Sequence, residues 1–230
     1  MKFPEERQAL ADASRRLAAG GLVIGTAGNL SIRVDDLVVI TPTGANLADL
    51  EADMMPIIDF EGTVVDGDLA PTSEVHLHLD VYKATTAAAI AHAHAMASTA
   101  VACTHTELPA IHYTTLSLGG AIRVAPYATF GSQELADHVV AALEGRHAAL
   151  MANHGSVAYG KDIEQACERL EHLEWLAELH SRAITIGTPR VLTDKDLENV
   201  IMAALSMNYG TTQKITTDEP HDHENSEASA

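Results

Sequence analysis

The stretch Ala87-Ala88-Ala89-Ile90-Ala91-His92-Ala93-His94 decides how the chain is read. It is an apolar run of strand length that ends in two histidines, and it reads as a buried strand. On a strand, side chains two apart share a face, with Cα atoms about 6.6 Å from one another. Two imidazoles so placed can converge on one metal ion, and the alanines around them leave room for a cavity in front. An HxH pair alone is as readily an ordinary polar strand end. A third candidate ligand is His154 in Asn153-His154-Gly155, which closes a second apolar run, Ala148 to Ala152. If the two strands lie close in one sheet, the three histidines leave one coordination position open, the catalytic rather than the structural pattern for zinc. Three imidazoles also suit Co, Ni or Mn.

Two other pairs repeat the spacing. His76 and His78 lie in Ser73 to Ala84, whose Ser/Glu opening favours a helix, and there such residues diverge by about 200°. His221 and His223 sit in the polar tail. Neither pair is expected to serve the site.

Outward from these motifs the chain alternates. Residues 5 to 19 place Leu10, Ala13 and Leu17 on one helical face, stopped by Gly20-Gly21. Apolar runs Leu37–Ile40 and Met55–Phe60 follow, and Glu61-Gly62 turns into Thr63-Val64-Val65, a hairpin signal. Ser132 to Leu143 reads as a helix, as does Asp162 to Ile184, with Asp162 and Gln165 as a capping box. A last helix spans about Asp194 to Met207. This interleaving predicts an α/β fold, a three-layer α/β/α sandwich around a mixed, largely antiparallel sheet. Residues 1–216 are expected to form one domain, and the acidic tail 217–230 to be disordered.

Composition narrows the partners. Among 230 residues, 14 basic side chains face 32 acidic ones, a net charge of −18. That balance argues against nucleic acid and against an anionic membrane surface. No apolar stretch reaches the roughly 18 residues of a spanning helix. MKFPEERQAL lacks a signal-type apolar region, and Cys103 and Cys167 are too few for a disulfide framework. The expectation is a soluble cytoplasmic protein.

Three loops are rich in hydroxyls and glycine: Thr26-Ala27-Gly28-Asn29-Leu30-Ser31, Thr41-Pro42-Thr43-Gly44 and Pro71-Thr72-Ser73-Glu74. Each alone is more often a turn. Together they offer neutral donors to a small phosphate, and Ser73 opens a helix whose N-terminus favours negative charge. No P-loop or dinucleotide fingerprint is present. Glu74 beside an anion site is electrostatically costly, which points to a functional carboxylate. The alternative is a residue complementing the helix dipole.

Taken in order, TAGNLS, TPTG, PTSEVHLHLDVY, AIAHAHAMAS and ANHG resemble the class II aldolase/adducin family over about residues 5 to 210. The resemblance implies that His92, His94 and His154 bind one Zn²⁺ per subunit. Glu74 would be the acid/base and would cap the metal without substrate. Gly28, Asn29, Thr43, Gly44, Thr72 and Ser73 would hold the substrate phosphate. Tyr113 and Tyr209 would supply hydroxyls near the site, and Phe130 would line it. Thr72 and Ala27 stand where serines are usual. The implied protein is a homotetramer with sites at subunit interfaces, cleaving a ketose 1-phosphate of the L-fuculose 1-phosphate type into dihydroxyacetone phosphate and an aldehyde through a metal-stabilised enediolate. Alternatives within the family are a ribulose-5-phosphate 4-epimerase, which tends to carry Asp where Glu74 stands, a phosphotetronate decarboxylase and a methylthioribulose-phosphate dehydratase. A non-catalytic adducin-like interaction domain would lack the metal ligands.

Overall fold

The run that decides the reading becomes the fifth of nine strands, and it is buried on both faces. The computed structural model describes residues 2–207 together with Tyr209, Gly210 and Thr212. The acidic tail and the pair His221 and His223 lie outside the described residues.

The chain falls into two units, Met1–Thr193 and Asp194–Ala230. In the first, helix α1 (Pro4–Ala19) precedes β1 (Asn29–Val34), β2 (Leu37–Ile40), β3 (Ile57–Asp59) and β4 (Val64–Asp66). Then come α2 (Val75–Ala84), β5 (Ala89–Ala93), α3 (Met96–Ala102), β6 (Glu107–Leu108) and β7 (Ile122–Ala125). The unit closes with α4 (Gln133–Ala142), β8 (Ala148–Met151), β9 (Gly155–Gly160) and α5 (Ile163–Ile186). The second unit carries α6 (Asp194–Ser206), with Asp194 and Asp196 in its first turn. No helix among the described residues is long and apolar enough to cross a membrane.

The strands form one sheet in the order β4-β3-β2-β1-β5-β9-β8-β7-β6. Every pairing is antiparallel except β7 with β8. The alternation of side chains across the pleat splits the core in two. Leu30, Ala89, Ala91 and Ala93 face α1, α3 and α5, while Val38, Ile40, Ile90 and Val157 face α2 and α4. The three-layer expectation holds. On the first side the alanines of β5 let α5 come close, packing Ala166, Cys167 and Leu170 over them.

The helices and strands expected from periodicity are present, and five more join them; one is β1, which takes in Asn29, Leu30 and Ser31 of the expected loop Thr26–Ser31. β7 is only four residues long and β6 only two. α3 is a short Ala/Ser/Thr run without an apolar stripe, and β9 begins at a glycine that reads as a turn. None carries a strong local signal, and each is stabilised by its neighbours. The expected capping box is offset by one residue. Asp162 accepts from Gln165 N–H at 2.8 Å, but the Gln165 side chain reaches back to Lys161 N–H, at 3.0 Å, and not to Asp162. On α1, Arg7 is 2% exposed and ties the helix to the β3–β4 hairpin through Met55 O (2.5 Å) and Asp66 Oδ2 (2.6 Å).

Gly155 sets how closely β9 meets β5. A Cβ there would lie 2.4 Å from Ala93 O. Gly155→Ala should cost about 1–3 kcal/mol of stability through overpacking, read as a lower midpoint in urea unfolding. An unchanged midpoint would show that the two strands can separate without cost.

Candidate metal centre

The three predicted histidines reach one point by three different routes. His92 is the fourth residue of β5, wholly buried, and its Nδ1–H donates to Ser156 O at 2.9 Å. Because a carbonyl can only accept, this bond leaves Nε2 to face the site. β5 ends at Ala93, so His94 lies one residue beyond it. His154 sits in the tight turn between β8 and β9, where Asn153 adopts φ +55°, a left-handed conformation that asparagine tolerates. The antiparallel pair β5 and β9, with Ala93 opposite Ser156, brings that turn beside the end of β5.

His92 Nε2 is 3.0 Å from His94 Nε2. The three ring centroids are 4.8 to 5.0 Å apart and steeply inclined to one another. Their candidate ligand atoms all lie within 4.8 Å of one another. Glu74, immediately before α2, completes the set. Its Oε2 is 3.1 Å from His92 Nε2 and its Oε1 is 3.5 Å from His154 Nε2. Oε2 also accepts from Asn29 Nδ2 at 2.9 Å, whereas Oε1 is buried without a hydrogen-bond partner.

Burial by itself would raise the Glu74 carboxyl. The charge and hydrogen bond of His92, with His154 and Asn29 behind them, instead hold it well below the usual carboxylate range. Burial pushes His94 and His154 down to about 4, helped by His92. His92 moves the other way: burial lowers it, and Glu74 outweighs that and raises it. Neutral imidazoles at His94 and His154 thus gather near a buried carboxylate with an unsatisfied oxygen. A donor set of this kind is short of positive charge, and a divalent cation fits it.

A cavity of about 140 Å³ opens in front. Gly28, Asn29, Thr43, Gly44, Thr72 and Ser73 line it together with Glu74, His94, His154 and Phe130, and among the described residues no lysine or arginine does. The loops that supply them are pinned to each other. Thr43 N–H donates to Ala70 O and Thr72 N–H to Thr41 O, both at 3.0 Å. Gly28, at φ +92°, lies so close to β5 that a Cβ would come within 2.9 Å of His92 O. The loops that line the cavity and the histidine strand are thus one packed unit.

Of the two predicted tyrosines, Tyr113 is not on this wall. Tyr113 begins the 3-10 turn Tyr113–Leu118, with its ring against His112, and Tyr209 belongs to the second unit. His76 and His78 diverge as a helix requires, His76 exposed and His78 buried, its pKa pushed down by burial to about 3. His78 was expected to have no part in the site, yet it bonds Asn29 Oδ1 through Nε2 at 2.5 Å. The signal for it is the spacing of Glu74, His78 and Tyr82, which puts three polar residues on one helical face.

The family described as Class II Aldolase and Adducin N-terminal domain matches residues 8–181. The chain is 41% identical over 197 residues to the 5-methylthioribulose-1-phosphate/5-deoxyribulose-1-phosphate aldolase of Rhodospirillum rubrum, covering 85% of this chain and 89% of that protein. It is 40% identical over 184 residues to the L-fuculose phosphate aldolase of Escherichia coli K12, covering 79% and 85%. A solved L-fuculose 1-phosphate aldolase matches with a TM-score of 0.83 at 35% identity, over 89% of this chain and 97% of that one.

His92→Ala and His154→Ala should each lose stoichiometric metal by elemental analysis while retaining the circular dichroism of the parent. His76→Ala, on the exposed side of α2, should keep it. Metal retained in both triad variants would end the tri-histidine assignment.

Proposed function

The chain belongs to the class II aldolase and adducin family, and from this premise we propose that it is a zinc-dependent lyase cleaving a ketose 1-phosphate into dihydroxyacetone phosphate and an aldehyde. The observation that carries the reading is a single cavity joining a cation-seeking end, His94, His154 and Glu74, to an anion-seeking end built from neutral loops. A ketose 1-phosphate presents the complementary pair: a carbonyl that needs an electrophile and a phosphate two bonds away.

His92, His94 and His154 would hold Zn²⁺ with one position open, which supplies Lewis-acid stabilisation of the charge that develops at the C2 oxygen. The residues do the rest. Gly28, Asn29, Thr43, Gly44, Thr72 and Ser73 hold the phosphate and so orient the C3–C4 bond. A tyrosine hydroxyl, assigned to Tyr113 or Tyr209, accepts the proton of the C4 oxygen while passing its own to water as the aldehyde forms. The electron pair of the broken bond is left on dihydroxyacetone phosphate as its enediolate. Glu74 delivers to C3 a proton that it takes up from water, and in the synthetic direction it removes that proton. Asn29 keeps Glu74 pointed at the site through the 2.9 Å bond. Since Tyr113 is not on the wall of its own cavity, it is assigned to the neighbouring pocket of a cytoplasmic homotetramer.

Metal-loaded protein offered 5-deoxyribulose 1-phosphate, 5-methylthioribulose 1-phosphate and L-fuculose 1-phosphate should release dihydroxyacetone phosphate from at least one, with the aldehyde identified by mass. Epimerisation of a ketose 5-phosphate or carbon dioxide release from a phosphotetronate, without aldol cleavage, would replace this reading. Glu74→Gln should keep the metal and lower kcat by about 10²–10⁴. Near-parental turnover would assign the proton to another group.

The interface assignment is checked by complementation. His154→Ala and Tyr113→Phe, each impaired alone, are refolded together and shown to form hybrid oligomers. About a quarter of the pockets should then regain both groups if each interface draws its two subunits independently. Activity that stays at the average of the parents would place Tyr113 within its own pocket or outside catalysis.

A further inference from the structure

A polar seam runs through the otherwise apolar contact between α2 and β1. Tyr82, Ser31, His78 and Asn29 lie along it, all buried, and it ends on Glu74. Tyr82 OH is 2.7 Å from Ser31 Oγ, which is 2.7 Å from His78 Nδ1. His78 Nε2 is 2.5 Å from Asn29 Oδ1, and Asn29 Nδ2 donates to Glu74 Oε2 at 2.9 Å.

Chemistry gives each link its direction. An ionised carboxylate can only accept, so Asn29 turns its NH₂ toward Glu74 and its oxygen toward His78. That oxygen can only accept as well, so a neutral His78 carries its proton on Nε2 and accepts at Nδ1. Ser31 then donates to His78 and accepts from Tyr82. Each hydrogen bond donates in the direction of Glu74, and aligned bonds of this kind polarise and strengthen one another. The opposite orientation of Asn29 would set its oxygen against the carboxylate and its NH₂ against the His78 proton.

We propose that His78 is a positioning residue: its Nε2–H fixes the Asn29 carboxamide, so that one amide proton holds Glu74 and the other faces the substrate's anionic end. The proposal rests on the functional reading above only for what Asn29 meets in the cavity. Asn29 touches both ends of that cavity, so a residue outside its wall controls the base and the anion site together.

The first test needs no substrate. Nitrogen-15 spectra of the full chain should show His78 as the Nε2–H tautomer, and the Nδ1–H tautomer would overturn the proposal. If the parent cleaved no ketose 1-phosphate, the functional reading would fail while this result still stood.

The second test is kinetic, on whichever phosphorylated substrate the parent turns over. His78→Phe removes the donor, and His78→Gln returns an N–H near the same place. His78→Phe should lower kcat/KM by about 10–100-fold with metal still stoichiometric, and His78→Gln should recover most of it. In an Asn29→Ala background, His78→Phe should change kcat/KM by about twofold at most, because the group it positions is gone. Equal losses in the Phe and Gln variants, or losses that multiply with Asn29→Ala, would reduce His78 to packing and overturn the proposal. Should His78→Phe fail to fold, Ser31→Ala takes its place, with a smaller loss that must also vanish in the Asn29→Ala background. A loss that persisted there would overturn it equally.

Discussion

An ionised carboxylate held out of water among three imidazoles is the constraint on which the rest of this protein depends. Burying an unpaired charge costs several kcal/mol, and the fold meets that cost with groups drawn from four separate places. His92 comes from the central strand, His154 from the turn between β8 and β9, Asn29 from the start of β1, and the carboxylate itself from the head of α2. The sheet order puts β1 and β9 on either side of β5, so all four meet at one end of three adjacent strands. Gly28 and Gly155 are the backbone counterpart of that convergence. At each, a Cβ would press on a carbonyl of β5.

On the proposed function, the anion-seeking end follows from the same charge economy. A chain of net charge −18 has few cations to spend on a phosphate, and a lysine in this cavity would also compete with a metal for Glu74. Neutral hydroxyls and backbone amides avoid both problems. The loops that carry them are joined by backbone hydrogen bonds at Thr43 and Thr72, so their donors are held in place before a ligand arrives. Preorganisation of this kind lets binding at the phosphate orient a distant bond.

The seam from Tyr82 to Glu74 shows why α2 is polar on one side although it packs against the sheet. Leu77, Leu79 and Val81 bury in the core on that side of the sheet, while His78 and Tyr82 meet Ser31 and Asn29 on β1. A buried polar network that is only partly satisfied destabilises the core around it. In this one Tyr82, Ser31, His78 and Asn29 each find a partner, and the last donor is directed at Glu74, whose Oε1 alone is left without one. Packing and site geometry are therefore set by the same helix.

Much of this was legible in the order of residues. The burial of Ala89–Ala93, the amphipathic α1 and α5, and the shared face of His92 and His94 all follow from local periods of two and 3.6 residues. The loops around Gly28, Thr43 and Ser73 announced themselves through glycine and hydroxyl content, and their order alongside the histidine motifs identified the family. Local period could not show that His154 folds back beside His94, since that depends on β9 pairing with β5 across the sheet. It could not show β6, β7 or α3 either, because runs so short are stabilised by their neighbours more than by their own propensity. His78 is the clearest case. Periodicity correctly placed it away from His76, and so apart from the histidine triad, but only the packing of α2 on β1 turned it toward Asn29. Which face a side chain takes is a local property of the chain, whereas what it meets there is decided when distant strands and helices are brought together.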